Sequence, residues 1–260
     1  MSPRLAVFGG VYSNHLALGE TIADIARRGV EQAWCLGDLG GFGPHPDRSV
    51  ALLRESGMPM LRGNYDDSIG HDRADCGCGY TDPLDNAFAQ RSYDYTVART
   101  AAVHKRWMRG LPEQQRLTIA GRRVLLCHGS PRRSNEFLWD STCSDAFLEW
   151  LCDTGEADLV VCGHTGLHWH RRLPSGRLVV NVGAVGRPAN DGRPGVHYAE
   201  ITVADVVSVE FRTVDYDFEA LAREMEAEQL PPEFVATIRS GWWTTCLENL
   251  PAKERRQGRY

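Results

Sequence analysis

Four polar residues of metal-binding types each lie beside a glycine, directly after an apolar run. They are Asp38, Asn64, His128 and His164. A carboxylate, an amide oxygen and two imidazoles form a suitable ligand set for a divalent transition metal such as Zn, Mn or Fe. Each residue alone has an ordinary alternative, because Asp and Asn are common in turns and a single histidine is often a hydrogen-bonded loop or core residue. The four together predict a shared metal site.

Strands that alternate with helices must position these residues. In the first quarter of the chain the apolar periodicity predicts strand Arg4–Phe8, helix Leu16–Arg28, strand Gln32–Leu36, helix Asp47–Ser56 and strand Pro59–Arg62. Such alternation is typical of a mixed α/β layer fold. Ligand sites in open α/β sheets gather just beyond strand ends, so we expect the polar residues to meet there.

The rest of the chain continues this pattern and finishes in helices. Further strands are predicted at Arg116–Ile119, Arg122–Cys127, Leu159–Cys162, Leu178–Val182, His197–Thr202 and Val206–Thr213. Further helices are predicted at Asn86–Gly110 (broken once), Asp145–Cys152, Glu219–Gln229 and Pro232–Ser240. Residues 67–85 look irregular. We predict one domain over residues 1–215, with residues 216–260 as its C-terminal helical appendage.

Composition narrows the class of protein. The net charge of −5 argues against broad binding of nucleic acid. No apolar run reaches the roughly 18–20 residues of a membrane helix, and the start lacks a secretory signal. The eight cysteines are scattered, which suits buried thiols better than a disulfide framework. We therefore expect a cytoplasmic protein that binds no membrane.

The ordered motifs resemble those of the calcineurin-like metallophosphoesterase superfamily. They are Gly37-Asp38, Gly63-Asn64-Tyr65-Asp66, His128-Gly129 and Gly163-His164-Thr165. The stretch Asn181–Pro188, N-V-G-A-V-G-R-P, resembles a small bacterial branch of that family more closely. The resemblance implies a two-sheet β-sandwich flanked by helices. It also implies hydrolysis of phosphomonoesters or phosphodiesters between two metal ions.

Three departures from the family pattern are concentrated in one metal site. The first family motif, D-x-H, aligns with Gly10-Val11-Tyr12, and the last motif, G-H-T-H, ends here in Gly166. The resemblance assigns the missing side chains to the first metal, of whose ligands only Asp38 remains. It assigns Asp38, Asn64, His128 and His164 to the second metal. We therefore expect one ion per chain.

Replacement ligands for the first metal are an open alternative. The histidines near the relevant motifs are His15, His168 and His170. His15 begins a predicted helix, and the other two lie past the last motif on an extended segment. The ordinary interpretation of all three is surface histidines.

Candidate catalytic and substrate-binding residues surround the predicted metal site. Tyr65 replaces the family histidine credited with protonating the leaving group, and Asp66 follows it as an orienting residue. The candidate substrate contacts are Tyr12, Asn14, Arg132 and Arg187. Guanidinium groups pair bidentately with phosphate, although an arginine outside a motif is as often a surface ion pair; the same applies to Arg62 and Arg133.

Two functions are consistent with this sequence. The first is a metal-dependent phosphoesterase, acting on a small phosphorylated compound with one retained metal. The alternative is a catalytically inactive member of the fold that binds a phosphorylated ligand or a protein partner. The segment Asp75-Cys76-Gly77-Cys78 is favoured as an ordered loop on the substrate side, with partial metal binding as a weaker alternative. The pair Trp242-Trp243 covers a sheet edge, packs across the cleft or marks a dimer contact.

Overall fold

The central strands of this chain are apolar on both faces because each sheet lies between helices and a second sheet. The computed structural model describes residues 2–256. In the strands Leu159–Cys162 and Leu178–Val182 every residue is buried. The strands in chain order are β1 (Arg4–Phe8), β2 (Gln32–Cys35), β3 (Gln114–Ile119), β4 (Arg122–Cys127), β5 (Leu159–Cys162), β6 (His168–Arg172), β7 (Leu178–Val182), β8 (Val196–Thr202) and β9 (Ser208–Val214).

Two mixed sheets form the sandwich that the sequence predicted. One sheet has the strand order β2-β1-β8-β9, and the other has the order β3-β4-β5-β7-β6. The pairs β1–β2, β4–β5 and β5–β7 are parallel, whereas β1–β8, β8–β9, β3–β4 and β6–β7 are antiparallel. The predicted fold class is confirmed.

Helices cover the outer faces of both sheets. In chain order they are α1 (His15–Arg27), α2 (Pro46–Ser56), α3 (Asn64–Gly70), α4 (Pro83–Arg99), α5 (Ala102–Arg109), α6 (Asp145–Thr154), α7 (Phe218–Ala227), α8 (Pro232–Ser240) and α9 (Ala252–Arg256). The start of α1 is set by Asn14, whose side-chain oxygen accepts a hydrogen bond from the Ala17 amide at 3.0 Å. Within residues 2–256, no helix is both long and apolar enough to cross a bilayer.

The central core lies between the two sheets. Val7 and Ile201 from one sheet belong to the same fully buried cluster as Leu126 and Val161 from the other. A second cluster joins α1, α7 and α8 to the outer face of the first sheet, so the C-terminal helices share a core with the N-terminal region. A third cluster packs α6 on the second sheet.

Three predictions about local structure were wrong. Pro59–Arg62 is no strand but a single parallel bridge from Met60 to Cys35. The chain leaves the sheet there because the Arg62 amide donates to the Pro112 carbonyl and α3 begins two residues later. That helix occupies part of the segment expected to be irregular.

The third wrong prediction concerns the oxidation state of the cysteines. Cys76 and Cys78 are joined by a disulfide across Gly77, so the expectation of reduced thiols fails for this pair. The other six are free, as expected: Cys35, Cys127, Cys143, Cys152, Cys162 and Cys246.

Truncation of a side chain between the sheets should destabilise the protein strongly. Leu126 is fully buried there, and Leu126→Ala should lower the free energy of unfolding by about 2–5 kcal/mol because it leaves a cavity. Leu84→Ala is the matched control, since Leu84 is 65% exposed and should change stability by about 0.5 kcal/mol or less. Denaturant unfolding measures both, and equal effects would contradict this location of the core.

Candidate metal centre

The four predicted metal ligands meet in one buried cluster. Asp38, His128 and His164 each offer one potential ligand atom, and these three atoms all lie within 4.8 Å of one another. The side-chain oxygen of Asn64 lies 3.1 Å from Nε2 of His128. The chain brings them together because His128 and His164 follow parallel neighbours β4 and β5, while Asp38 follows β2 in the facing sheet.

When His128 is neutral, electron pairs in this cluster point at each other. His128 Nδ1 lies 2.7 Å from the Leu36 carbonyl, which can only accept, so Nδ1 carries the proton. In the neutral imidazole Nε2 is then an acceptor. It faces an oxygen of Asp38 at 3.2 Å, the Asn64 oxygen, and His164 Nδ1 at 3.3 Å. Converging acceptors of this kind fit a bound cation.

The amide of Asn64 is oriented by a loop outside the cluster. Its nitrogen donates to the Cys76 carbonyl at 2.9 Å. This hydrogen bond turns the amide oxygen toward His128. Support of a ligand by a neighbouring hydrogen bond is common in metal sites and tunes their affinity.

His164 is the predicted ligand that has an unsatisfied atom. Its Nε2 is buried and has no hydrogen-bond partner among residues 2–256. Burial, with His128 as a second cause, lowers the pKa of His164 to about 3, so the ring is neutral at neutral pH and can donate an electron pair. The ring of Phe137 packs against it at a centroid distance of 4.3 Å.

The charge of the cluster is set by Asp38 and His128 together. Burial opposes ionisation of Asp38, but His128 beside it lowers the pKa of this carboxyl below its usual value. Burial likewise opposes protonation of His128, but Asp38 raises the pKa of the imidazole overall. In the absence of a metal the pair therefore favours a shared proton, which a divalent cation would displace.

Asp66 holds the backbone that presents Asp38. Its carboxylate accepts hydrogen bonds from the amides of Asp38 at 2.7 Å, Leu39 at 3.0 Å and Gly63 at 2.9 Å. Burial and the nearby Asp38 raise the pKa of Asp66 to about 6. A Cβ atom on Gly63 would overlap the Asp38 carboxylate, so this contact requires glycine. Asp66 contacts the loop rather than the cavity.

Aromatic side chains fill the space beside the positions where family ligands are missing. A Cβ atom on Gly10 would lie 3.0 Å from the Tyr12 ring. A Cβ atom on Gly166 would lie 3.1 Å from the Trp243 ring, and the indole nitrogen of Trp243 donates to the Pro188 carbonyl at 2.7 Å. Of the predicted replacement ligands, none belongs to the buried cluster.

Those three histidines lie in other surroundings. Nε2 of His15 is 3.5 Å from the Glu224 carboxylate. His168 packs on the ring of His197 at 4.4 Å, and His170 lies 5.8 Å from the ring of Phe211.

An aromatic cavity of about 60 Å³ opens beside the metal cluster. Its lining includes Asp38, Asn64 and His164, together with Tyr12, Phe42, Tyr65, Tyr80, Phe137, Phe234 and Arg187. Sequence reasoning missed Phe42, Tyr80, Phe137 and Phe234. Tyr80, Phe137 and Phe234 come from distant segments and carry no motif, so only the fold brings them here, whereas Phe42 lies in the glycine-rich loop that follows Asp38.

Arg187 is a buried cation in this cavity. Its guanidinium carbon lies 3.8 Å from the Trp243 ring and 5.2 Å from the Phe42 ring. One terminal nitrogen donates to the Thr245 carbonyl at 2.8 Å, and Nε has no partner within residues 2–256. No carboxylate of the described chain lies within 4 Å of it. A buried cation without a counter-ion is suited to an anionic ligand.

Other predicted contacts lie away from this cavity. Asn14 caps α1, and its amide nitrogen donates to the Gly186 carbonyl at 3.3 Å. Arg132 pairs with Glu136 and packs over Phe147 at 5.4 Å. Both Arg132 and Arg133 line a separate cleft that borders His128 from the other side.

Comparisons with known proteins agree with the fold and the motifs. The model of the calcineurin-like phosphoesterase superfamily domain matches residues 4–205. A metallophosphoesterase from Sphaerobacter thermophilus is similar in structure, with a TM-score of 0.71 and 25% identity over 93% of this chain and 100% of that one. A hypothetical protein from Pyrococcus horikoshii OT3 has a TM-score of 0.76 and 19% identity over 93% of this chain and 99% of its own. An uncharacterized protein of Methanocaldococcus jannaschii is 24% identical over 246 residues, which is 87% of this chain and 93% of the relative.

The cluster should bind one divalent ion per chain. Elemental analysis of protein incubated with Mn or Zn should give about one ion per chain, and His164→Ala should lose it because an imidazole ligand is removed. His71→Ala is the matched control, since the His71 side chain is 39% exposed and lies outside the cluster. Two ions per chain would contradict the loss of the first metal site, and equal loss in both variants would contradict the ligand assignment.

Proposed function

Because the chain belongs to the calcineurin-like phosphoesterase superfamily, we propose that it is a metal-dependent phosphoesterase acting on a small phosphomonoester or phosphodiester. One Mn, Zn or Fe ion would be held by Asp38, Asn64, His128 and His164. The observation that carries this proposal is the convergence of their electron pairs at one end of a cavity that also holds Arg187. An anion in this cavity meets positive charge from two sides.

The predicted metal ligands and Arg187 have different roles toward the substrate. The chemistry that a bound divalent ion supplies is Lewis-acid activation of the phosphoryl centre and of a water molecule. Arg187 binds the phosphate oxygens through its Nε and free N–H groups, in the absence of a competing carboxylate. Its stacking on Trp243 fixes the guanidinium plane before the substrate arrives.

Tyr12 and Tyr65 serve as hydrogen-bond donors in this proposal. Both line the cavity. Burial raises the pKa of Tyr12 well above its usual value, and the Asp38 charge raises it further. Burial also raises the pKa of Tyr65. Both phenols stay protonated near neutral pH, so they stabilise charge on a phosphate oxygen and transfer no proton. A leaving group that needs no protonation is therefore favoured.

Asp66 acts as a positioning residue. Its carboxylate ties together the three amides that shape the Asp38 loop, and it does not reach the cavity lining. Removal of Asp66 would move the metal ligand rather than a reacting group.

The size and walls of the cavity restrict the substrate. A cavity of about 60 Å³ between aromatic rings favours a small substrate. Arg187 is the one arginine or lysine of the described chain that lines this cavity, so a chain of several phosphates would lack counter-ions. We propose a small ester with one phosphate.

The filled first metal site supports a second candidate function. Tyr12 and Trp243 occupy space beside the glycines that replace family ligands. A family member that lacks the first metal, and that has Tyr65 in place of the proton-donating histidine, would hold a phosphorylated ligand and not hydrolyse it.

Turnover of model esters separates the two functions. With added Mn or Zn, 4-nitrophenyl phosphate or its bis-ester should be hydrolysed, because nitrophenolate leaves without protonation. Asp38→Ala should lower kcat/KM at least about 100-fold through loss of a metal ligand. Unchanged turnover in that variant would indicate a contaminating enzyme. Absence of turnover in metal-loaded protein that still binds inorganic phosphate would favour the binding function.

Arg187 should govern substrate affinity. Arg187→Gln should raise KM for a nitrophenyl ester about 10–100-fold, since a charge-assisted hydrogen bond to phosphate is lost. Arg187→Lys should recover part of the loss because it retains the charge. Arg133→Gln is the control on the other side of His128. Equal KM values in Arg187→Gln and wild type, with one ion still bound in each, would contradict this role.

A further inference from the structure

The disulfide loop at residues 75–80 touches the metal cluster directly. The Cys76 carbonyl accepts the hydrogen bond that orients Asn64, and the Cys78 sulfur lies 3.7 Å from the same amide nitrogen. The next carbonyl, that of Gly77, accepts from the side chain of Asn135 at 3.1 Å. The loop is thereby fixed both to one ligand and to the segment that follows His128.

The loop also lies between the aromatic cavity and an outer cleft. Cys78 lines the aromatic cavity beside the metal cluster. On its other side, Cys76 and Cys78 line an outer cleft of about 500 Å³. The two residues are 5% and 7% exposed, so the bond is shielded but borders a cleft wide enough for a reactant to enter.

We propose that Cys76 and Cys78 form a thiol–disulfide exchange site whose redox state controls metal binding through Asn64. The proposal rests on the metal site of the proposed function. In the oxidised state the short covalent ring fixes the Cys76 carbonyl where the Asn64 amide meets it. In the reduced state the two sulfurs separate, the carbonyl is free to turn, and the Asn64 oxygen loses its fixed direction.

The reactant is a dithiol, either a small molecule or a protein with a thiol pair. A thiolate of the dithiol attacks one sulfur of the Cys76–Cys78 bond; that bond breaks, and the other cysteine leaves as a thiolate and takes up a proton. The second thiol of the reactant then attacks the mixed disulfide, releases the remaining cysteine, and becomes part of the reactant's own disulfide. Two electrons and two protons pass to the protein in total.

Manganese affinity in the two redox states tests this proposal. Manganese is the probe because thiolates bind it weakly, so newly exposed sulfurs do not mask the effect. Protein oxidised in air should show six thiols after denaturation, and eight after reduction by a phosphine. The dissociation constant for Mn²⁺, measured by equilibrium dialysis after removal of the phosphine, should be about 10-fold higher or more in the reduced protein.

Two variants supply the controls. The double variant Cys76→Ser, Cys78→Ser should bind Mn²⁺ as weakly as the reduced protein, whether or not it has met reductant. Cys143→Ser removes a free thiol elsewhere and should keep the full redox response. Eight thiols in the air-oxidised protein, or equal affinities in the two states of the wild type, would overturn the exchange site alone. No Mn²⁺ binding in either state would overturn the metal site as well.

Discussion

Four electron-pair donors buried against each other are stable only if positive charge lies among them. His128 offers an acceptor nitrogen because its other nitrogen is committed to the Leu36 carbonyl. Around it stand two oxygens and the nitrogen of His164. A buried polar atom without a partner costs about 1–3 kcal/mol, and Nε2 of His164 is such an atom among the described residues, which favours a bound ligand here. The surrounding backbone and the two sheets hold these donor atoms close together.

Close backbone contacts bring the side chains of the candidate metal cluster together. Asp38 has a positive φ of 59°, and its loop is fixed by the carboxylate of Asp66. Gly63 lets the two chain segments approach where any side chain would collide with Asp38. The mixed sandwich then sets Asp38 in one sheet opposite His128 and His164 in the other. The glycines at the strand ends therefore allow both the close packing of the fold and the assembly of the candidate site.

The parts of the site that were predictable from the sequence are those with local signals. An apolar run that ends at a polar residue and glycine indicates both a strand and a candidate ligand, as for Cys127-His128-Gly129. The family resemblance and the two-sheet fold are confirmed by comparison. The aromatic cavity was not predictable, because Phe137 and Phe234 meet there only after folding. The prediction of a strand at Pro59–Arg62 was wrong because a run of four residues cannot distinguish a strand from a single bridge.

One cation site is expected to survive in this chain, and aromatic side chains occupy the neighbourhood of the other. Anomalous X-ray scattering at the zinc edge, from crystals grown with Zn²⁺, tests it directly. We expect one strong peak per chain, about 2.0–2.2 Å from ligand atoms of Asp38, Asn64, His128 and His164. A second peak beside Gly10 and Gly166, or no peak among the four ligands, would contradict it.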